Sequence, residues 1–221
     1  MDVTLRNIDY NTLETILFTI SFILLTAAKI THEIRFSNFI TLIISDKYLK
    51  IYGKDSLLNV TWFNFFLFTV QMIVFGILIH TALEVFNSSI KPPLLAIIAL
   101  LTLFILFKFY LEKLIASILA LDAFLELYNF HKLSYRNFIA IALLPMAAML
   151  IYTPFGKTIL LYISLLLFVI FNLICFVLTV KNHQKFILPR VFYFILYLCT
   201  LEIAPYLLIY KWVFTINEGL N

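Results

Sequence analysis

The chain has 221 residues, of which 63% are hydrophobic and 13% are charged, and its formal net charge is +4. A soluble domain is usually about 45–50% apolar and about 25% charged, so this sequence lacks the polar residues that would cover a soluble fold. The composition therefore excludes an ordinary soluble domain. It indicates a single integral-membrane domain over residues 1–221, with an all-α, polytopic fold.

Six apolar stretches are long enough to cross a bilayer, since a membrane helix needs about 20 mostly apolar residues. The stretches are continuously apolar and lack the alternation of barrel strands, which favours helices. The predicted spans are Thr12–Ala28, Trp62–Leu83, Pro92–Leu114, Tyr135–Pro154, Lys157–Val180 and Arg190–Phe214.

The connection after the first span carries two short segments with apolar faces, within about residues 34–56. Phe36 and Phe39 share one arc of a helix, and Asp46 interrupts the apolar pattern before it resumes as far as Gly53. We expect two short interfacial helices that lie in the headgroup region of the membrane. The alternative is a surface that docks a partner protein.

The helical pattern of the third span continues past Lys108 to about Tyr128, and no proline or glycine lies between Pro93 and Tyr128. Such a helix would outrun a hydrocarbon core about 30 Å thick. A polar stripe follows one face of it, and Lys108 and Glu112 are spaced for an i,i+4 pair. The stripe is either a helix end that solvates itself or a cytoplasmic docking ridge. The candidate interaction residues here are Glu112, Asp122, Glu126, His131, Arg136 and Asn137.

Most of the 16 lysine and arginine residues lie in or beside the connections after the first, third and fifth spans. Because positive residues favour the cytoplasmic side of short loops, these connections are predicted to be cytoplasmic and both termini to be outside. The positive net charge is therefore interpreted as a signal of membrane topology. No basic groove interleaved with aromatic residues is visible, and nucleic acid is not an expected partner.

A carboxylate lies near the middle of the sixth span, where a charged group is costly. Glu202 should therefore be paired, neutral or reached by water. Pro145 and Pro205 should kink their helices and release backbone carbonyls. Glu202 and the polar residues around it form either a proton or ion site or a hydrogen-bonded lock that fixes helix packing. The other candidate polar residues are Gln71, Tyr197, Asn172 and Lys108.

Three stretches resemble a known family of membrane proteins. They are KFYLEKLIA (Lys108–Ala116), YNFHKLSYRNFIAIALLP (Tyr128–Pro145) and LYLCTLEIAPYLLIYK (Leu196–Lys211), and the likeness begins near LRNIDYNT. The family is domain of unknown function family 4271, a set of multi-span inner-membrane proteins from Bacteroidota. The resemblance implies a bacterial inner membrane and brings no reaction with it. In such a membrane, the termini that the charge distribution places outside are predicted to be periplasmic. In Ser134–Pro145 the pattern is also similar to Yip-type proteins, which typically have five spans and serve as membrane organisers and adaptors.

No enzyme motif such as Gly-x-Ser-x-Gly or His-Glu-x-x-His accompanies these spans. The histidines lack the paired spacing of zinc ligands, so we expect no metal and no other cofactor. We predict a non-enzymatic scaffold or accessory subunit that organises an envelope complex or lipid. Its partners would be the bilayer and another envelope protein or a second copy. The alternative is a small proton- or ion-coupled transporter that uses Glu202. An intramembrane or interfacial enzyme is a third and weaker alternative.

Overall fold

The computed structural model describes residues 12–45, 47–53, 61–86, 92–118, 122–153 and 156–187. Within these ranges it contains helices and no strands, which confirms the all-α fold class. The helices are α1 (Thr12–Thr31), α2 (Glu33–Ile40), α3 (Lys47–Tyr52), α4 (Trp62–Val85), α5 (Leu94–Ile118), α6 (Asp122–Tyr152) and α7 (Lys157–Ile187).

Five of these helices, α1, α4, α5, α6 and α7, are long and apolar enough to cross a membrane. They confirm the first five predicted spans, with shifted ends. The largest shift is in α6, whose apolar stretch begins at Leu127 and not at Tyr135. The sixth predicted span, Arg190–Phe214, lies outside the described residues.

The long helices run alternately up and down. Glu14 near the start of α1 lies beside His80 near the end of α4, so these two helices are antiparallel. Phe75 of α4 meets Phe168 of α7 edge-on, with ring centroids 5.6 Å apart. The end of the bundle that holds α2, α3 and the first turns of α4 and α6 is called the polar end below.

Helices α4 and α6 form the centre of the bundle. In their apolar stretches 56% of the residues are buried, against 17% in α1, α5 and α7. Within the described residues, the outer three helices therefore present long apolar faces, and these faces require cover by lipid, by another membrane protein or by a part of the chain outside the described ranges. Glycine lets α5 approach α4 closely, because a Cβ atom on Gly76 would lie 2.4 Å from Cγ1 of Ile98.

The prediction of one long third helix that extends to about Tyr128 is wrong. Helix α5 ends at Ile118 and α6 begins at Asp122. Nζ of Lys132 then lies 2.9 Å from Oε1 of Glu112, twenty residues earlier. In a continuous helix these residues would be roughly 30 Å apart, so the chain reverses between α5 and α6. No single polar stripe can therefore run from α5 through Asp122 and Glu126.

The two short helices expected after the first span are confirmed as α2 and α3. Each contributes buried side chains to the bundle, among them Phe39 of α2 and Tyr48 of α3. Ile34 and Ile44, on the other hand, are 76% and 90% exposed. The position of these helices in the headgroup region stays a prediction.

Candidate functional site at the polar end

A buried arginine ties the two short helices to the start of α4. Arg35 of α2 is only 8% exposed. Its guanidinium lies 4.7 Å from the ring centroid of Tyr52 and 5.1 Å from that of Phe63. A cation over aromatic faces is attracted by the ring quadrupoles, and the attraction is stronger when water is excluded. Arg35 therefore packs α2 against α3 and α4, in addition to carrying a charge.

Tyr48 of α3 lies at the centre of the contacts among α2, α3 and α6. The Arg35 guanidinium and the hydroxyl of Ser134 on α6 lie close enough to its phenolic oxygen to donate hydrogen bonds to it. Its ring stacks on Phe130 at 5.8 Å. Burial raises the pKa of the Tyr48 phenol above its ordinary value, and the neighbouring Arg35 opposes part of that shift. The phenol is therefore neutral at physiological pH and joins α2, α3 and α6.

The polar end also contains a buried ion pair between α5 and α6. Lys132 Nζ donates to Glu112 Oε1 at 2.9 Å, and the two side chains are 18% and 4% exposed. A carboxylate this well buried requires a partner, because water no longer solvates it. The pair thus fixes the antiparallel packing of these two helices.

A cavity of about 440 Å³ lies beside this ion pair, between α4, α5 and α6. We call it the basic cavity. Its polar side consists of Asn64, Lys108, Glu112, Asn129, Lys132 and Arg136. Its apolar wall consists of Phe65, Phe68, Ile105, Leu106, Phe109 and Leu133. The volume lies within the usual range for small-molecule sites.

Several residues of the predicted cytoplasmic interaction surface are buried or half-buried at this end. Glu112 is 3%, His131 6% and Asn137 2% exposed, while Arg136 is half-buried and lines the basic cavity. These residues therefore form the interior of the polar end, and their role as an interaction surface stays a prediction. Asp122 and Glu126 lie on the first turns of α6, and their side chains lie outside the described part.

The mid-membrane polar residues do not join the residues of the polar end. Gln71 on α4 is fully buried, and neither atom of its amide has a hydrogen-bond partner within the described ranges. Asn172 on α7 donates from Nδ2 to the carbonyl of Phe168 on its own helix, at 2.8 Å. Gln71 lies one helical turn from Phe75, and Asn172 lies one turn from Phe168. Because Phe75 and Phe168 are in contact, the two amides lie at similar depth.

Four predicted features require separate mention. Pro145 lies inside α6, where it removes one backbone hydrogen bond. Glu202, Tyr197 and Pro205 lie outside the described residues, so the predicted carboxylate site in the sixth span stays a prediction.

Two contacts lie outside the sites predicted from the sequence. The first is Arg35 with Tyr48, which were assigned to a membrane-surface segment. The second is at the opposite end, where His80 Nδ1 lies 3.2 Å from Glu14 Oε1. The only sequence signal for the second pair was an ionisable residue within or beside an apolar stretch.

The fold and this site define a multi-pass membrane protein with a helix bundle and a polar, basic end. Residues 15–213 match the family described as Domain of unknown function (DUF4271), and the chain belongs to that family. No curated protein and no solved structure matches the chain. The family resemblance seen in the sequence is confirmed, whereas the Bacteroidota source and the likeness to Yip-type proteins stay predictions.

Proposed function

We propose that the chain is a non-enzymatic scaffold or accessory subunit of a bacterial inner membrane. One observation carries the proposal. In the described part of the chain, most of the buried polar side chains lie at one end, where Arg35, Tyr48 and Glu112 connect neighbouring helices. The centre of the bundle between α4 and α6 is apolar apart from Gln71. Such a distribution favours a fixed structural platform over a path across the membrane.

The proposal places the polar end in the cytoplasm and both termini in the periplasm. Exposed lysines at this end support it, because positive residues concentrate on the cytoplasmic side of short loops. They are Lys29, Lys47, Lys50 and Lys113. Trp62 at the first turn of α4 is 68% exposed, as is typical of a residue at the membrane interface.

A partner protein or a second copy would dock beside this end. Ile34 on α2 and Ile44 just after it are large apolar side chains that the described residues leave exposed. Large exposed apolar side chains of this kind are available for contact with lipid or with another protein.

The experiment is purification in a mild detergent after brief cross-linking in cells. The proposal predicts stoichiometric recovery of a second envelope protein or a dimer. Ile44→Ala should reduce that recovery, whereas Leu103→Ala on the outer face of α5 should not. Recovery of the lone chain from both cross-linked and untreated membranes would contradict the scaffold role.

The second candidate is a proton- or ion-coupled transporter. The observation that favours it is the fully buried Gln71 amide, which has no hydrogen-bond partner in the described part of the chain. An intramembrane polar group of this kind is costly and often functional. If Glu202 and Gln71 form one site, Glu202→Gln should abolish complementation of a strain lacking the protein at unchanged protein level. Gln71→Leu should then add no further loss. An equal loss of folded protein would instead indicate a packing lock.

A further inference from the structure

We propose that the basic cavity is a binding site for one anionic phospholipid. Its phosphate would lie among Lys108, Lys132 and Arg136, and an acyl chain would follow the phenylalanine-rich wall. The site rests on the membrane-spanning arrangement of the proposed function but not on a protein partner. Failure to find a protein partner therefore does not contradict the lipid site. Failure to find a bound lipid does not contradict the scaffold function.

The first argument is charge. Three cationic side chains and one carboxylate line the cavity, and the carboxylate, Glu112, is already engaged by Lys132. Among the described lining residues, basic side chains therefore outnumber acidic ones. Basic pockets between membrane helices on the cytoplasmic side are suited to anionic headgroups. Arg136 adds a planar guanidinium that can donate two parallel hydrogen bonds to a phosphate.

The second argument is the apolar wall. Phe68 and Ile105 line the cavity together with Phe65 and Leu106, which are 50% and 44% exposed. Because these last two side chains belong both to the cavity and to the outer surface, the cavity opens sideways towards the lipid phase. An amphiphile can enter it from the membrane without crossing the protein. A free phosphate would leave this wall uncovered.

The third argument is depth. Along α5 the lining runs from Thr102 to Glu112. Ten residues of helix rise roughly 15 Å. Half of a hydrocarbon core about 30 Å thick is the same length, so the cavity extends about as deep as one leaflet. Its charged groups lie towards the end of α5, at the level where a headgroup would be.

The fourth argument concerns the headgroup beyond the phosphate. Asn129 is 8% exposed, and its Oδ1 atom has no hydrogen-bond partner among the described residues. A buried acceptor of this kind requires a donor. Hydroxyl groups of a glycerol headgroup can supply one. Phosphatidylglycerol, which combines an anionic phosphate with such hydroxyls, is therefore the probe of choice.

The experiment is native mass spectrometry of the full chain, exchanged into micelles with equal amounts of phosphatidylglycerol and phosphatidylcholine of the same acyl chains. The wild type should retain one phosphatidylglycerol in preference to phosphatidylcholine. Lys108→Gln and Arg136→Gln should each lower this retention roughly fivefold, in line with the attraction of one basic residue to an anionic surface. Lys113→Gln is the matched control, because Lys113 lies on the same helix, is exposed and does not line the cavity.

A second pair of variants tests the acyl-chain wall without altering charge. Leu106→Trp should fill the cavity and reduce phosphatidylglycerol retention. Leu103 lies three residues earlier and is 70% exposed, so Leu103→Trp should leave phosphatidylglycerol retention unchanged. Glycerol phosphate, which has the headgroup alone, should not displace the lipid. All variants are first checked for the elution volume and melting temperature of the folded protein.

Three results would overturn the proposal. The first is equal retention of the two lipids by the wild type. The second is a loss in Lys113→Gln as large as that in Lys108→Gln. The third is displacement by glycerol phosphate, which would identify a free-anion site.

Discussion

Glu112 and Lys132 join the end of α5 to the beginning of α6, with 2.9 Å between Oε1 and Nζ. This contact shows that the chain reverses direction between two helices that the sequence pattern merges into one. It also places Lys108, Lys132 and Arg136 around one cavity. The local geometry of the polar end therefore depends on a buried ion pair.

Loss of the lysine should destabilise the protein strongly. In Lys132→Ala the Glu112 carboxylate remains buried without its partner, and removal of one partner of a buried pair typically costs about 3–5 kcal/mol. Thermal unfolding in detergent measures the effect. The exposed Lys113→Ala should stay within about 0.5 kcal/mol of the wild type.

The charge-swapped double variant Glu112→Lys with Lys132→Glu tests the pairing itself. If the two side chains interact directly, the double variant should be more stable than the sum of the single changes predicts. Additive losses would show that each residue acts through other contacts.

The Tyr48 hydroxyl should contribute to stability through its bonds to Arg35 and Ser134. Tyr48→Phe keeps the ring stacked on Phe130 but leaves both partners without the phenolic oxygen, at a cost of about 1–3 kcal/mol. The measurement is the melting temperature of the purified protein. Tyr110→Phe is the control, because Tyr110 is 66% exposed on α5. A loss of similar size in the control would contradict the assignment.

The raised pKa of Tyr48 predicts a pH dependence. A phenol whose pKa is higher in the folded state favours folding only while it is protonated. Its contribution is complete below the unfolded-state pKa of about 10 and is lost as pH rises through the folded-state value. The melting-temperature difference between the wild type and Tyr48→Phe should thus be constant from pH 7 to 9 and shrink above about pH 10. A difference that grows with alkalinity would refute this sign.

Close packing of α5 on α4 gives a prediction for the middle of the bundle. Gly76→Ala places a methyl group against Ile98 and should cost about 1–3 kcal/mol through overpacking. Ile98→Ala creates space at the same point, so the double variant should be more stable than the two single losses imply. Strict additivity in unfolding experiments would show that the two residues do not meet.

Much of the fold was predictable because hydrophobic length alone identifies membrane helices. Thr12–Thr31 and Trp62–Val85 differ from the predicted spans by a few residues at one end. The two short helices were also predictable, since charges interrupt their apolar pattern near Lys47.

The reversal after Ile118 could not be predicted in the same way. No proline or glycine marks it, and a helical pattern continues through it in the sequence. The contact that requires it joins residues twenty positions apart, and single-sequence periodicity does not report such pairs. The same applies to Arg35, which belongs to the segment predicted to lie at the membrane surface but packs against Tyr52 and Phe63.

The orientation of the bundle is most directly tested by the labelling of single cysteines in intact cells. Cys175 and Cys199 are first replaced by alanine, and Lys50→Cys and Glu84→Cys are introduced at exposed positions at the polar and opposite ends. A membrane-impermeant maleimide should label Glu84→Cys in intact cells and Lys50→Cys only after the inner membrane is opened. Labelling of Lys50→Cys in intact cells, with protection of Glu84→Cys, would contradict a cytoplasmic polar end.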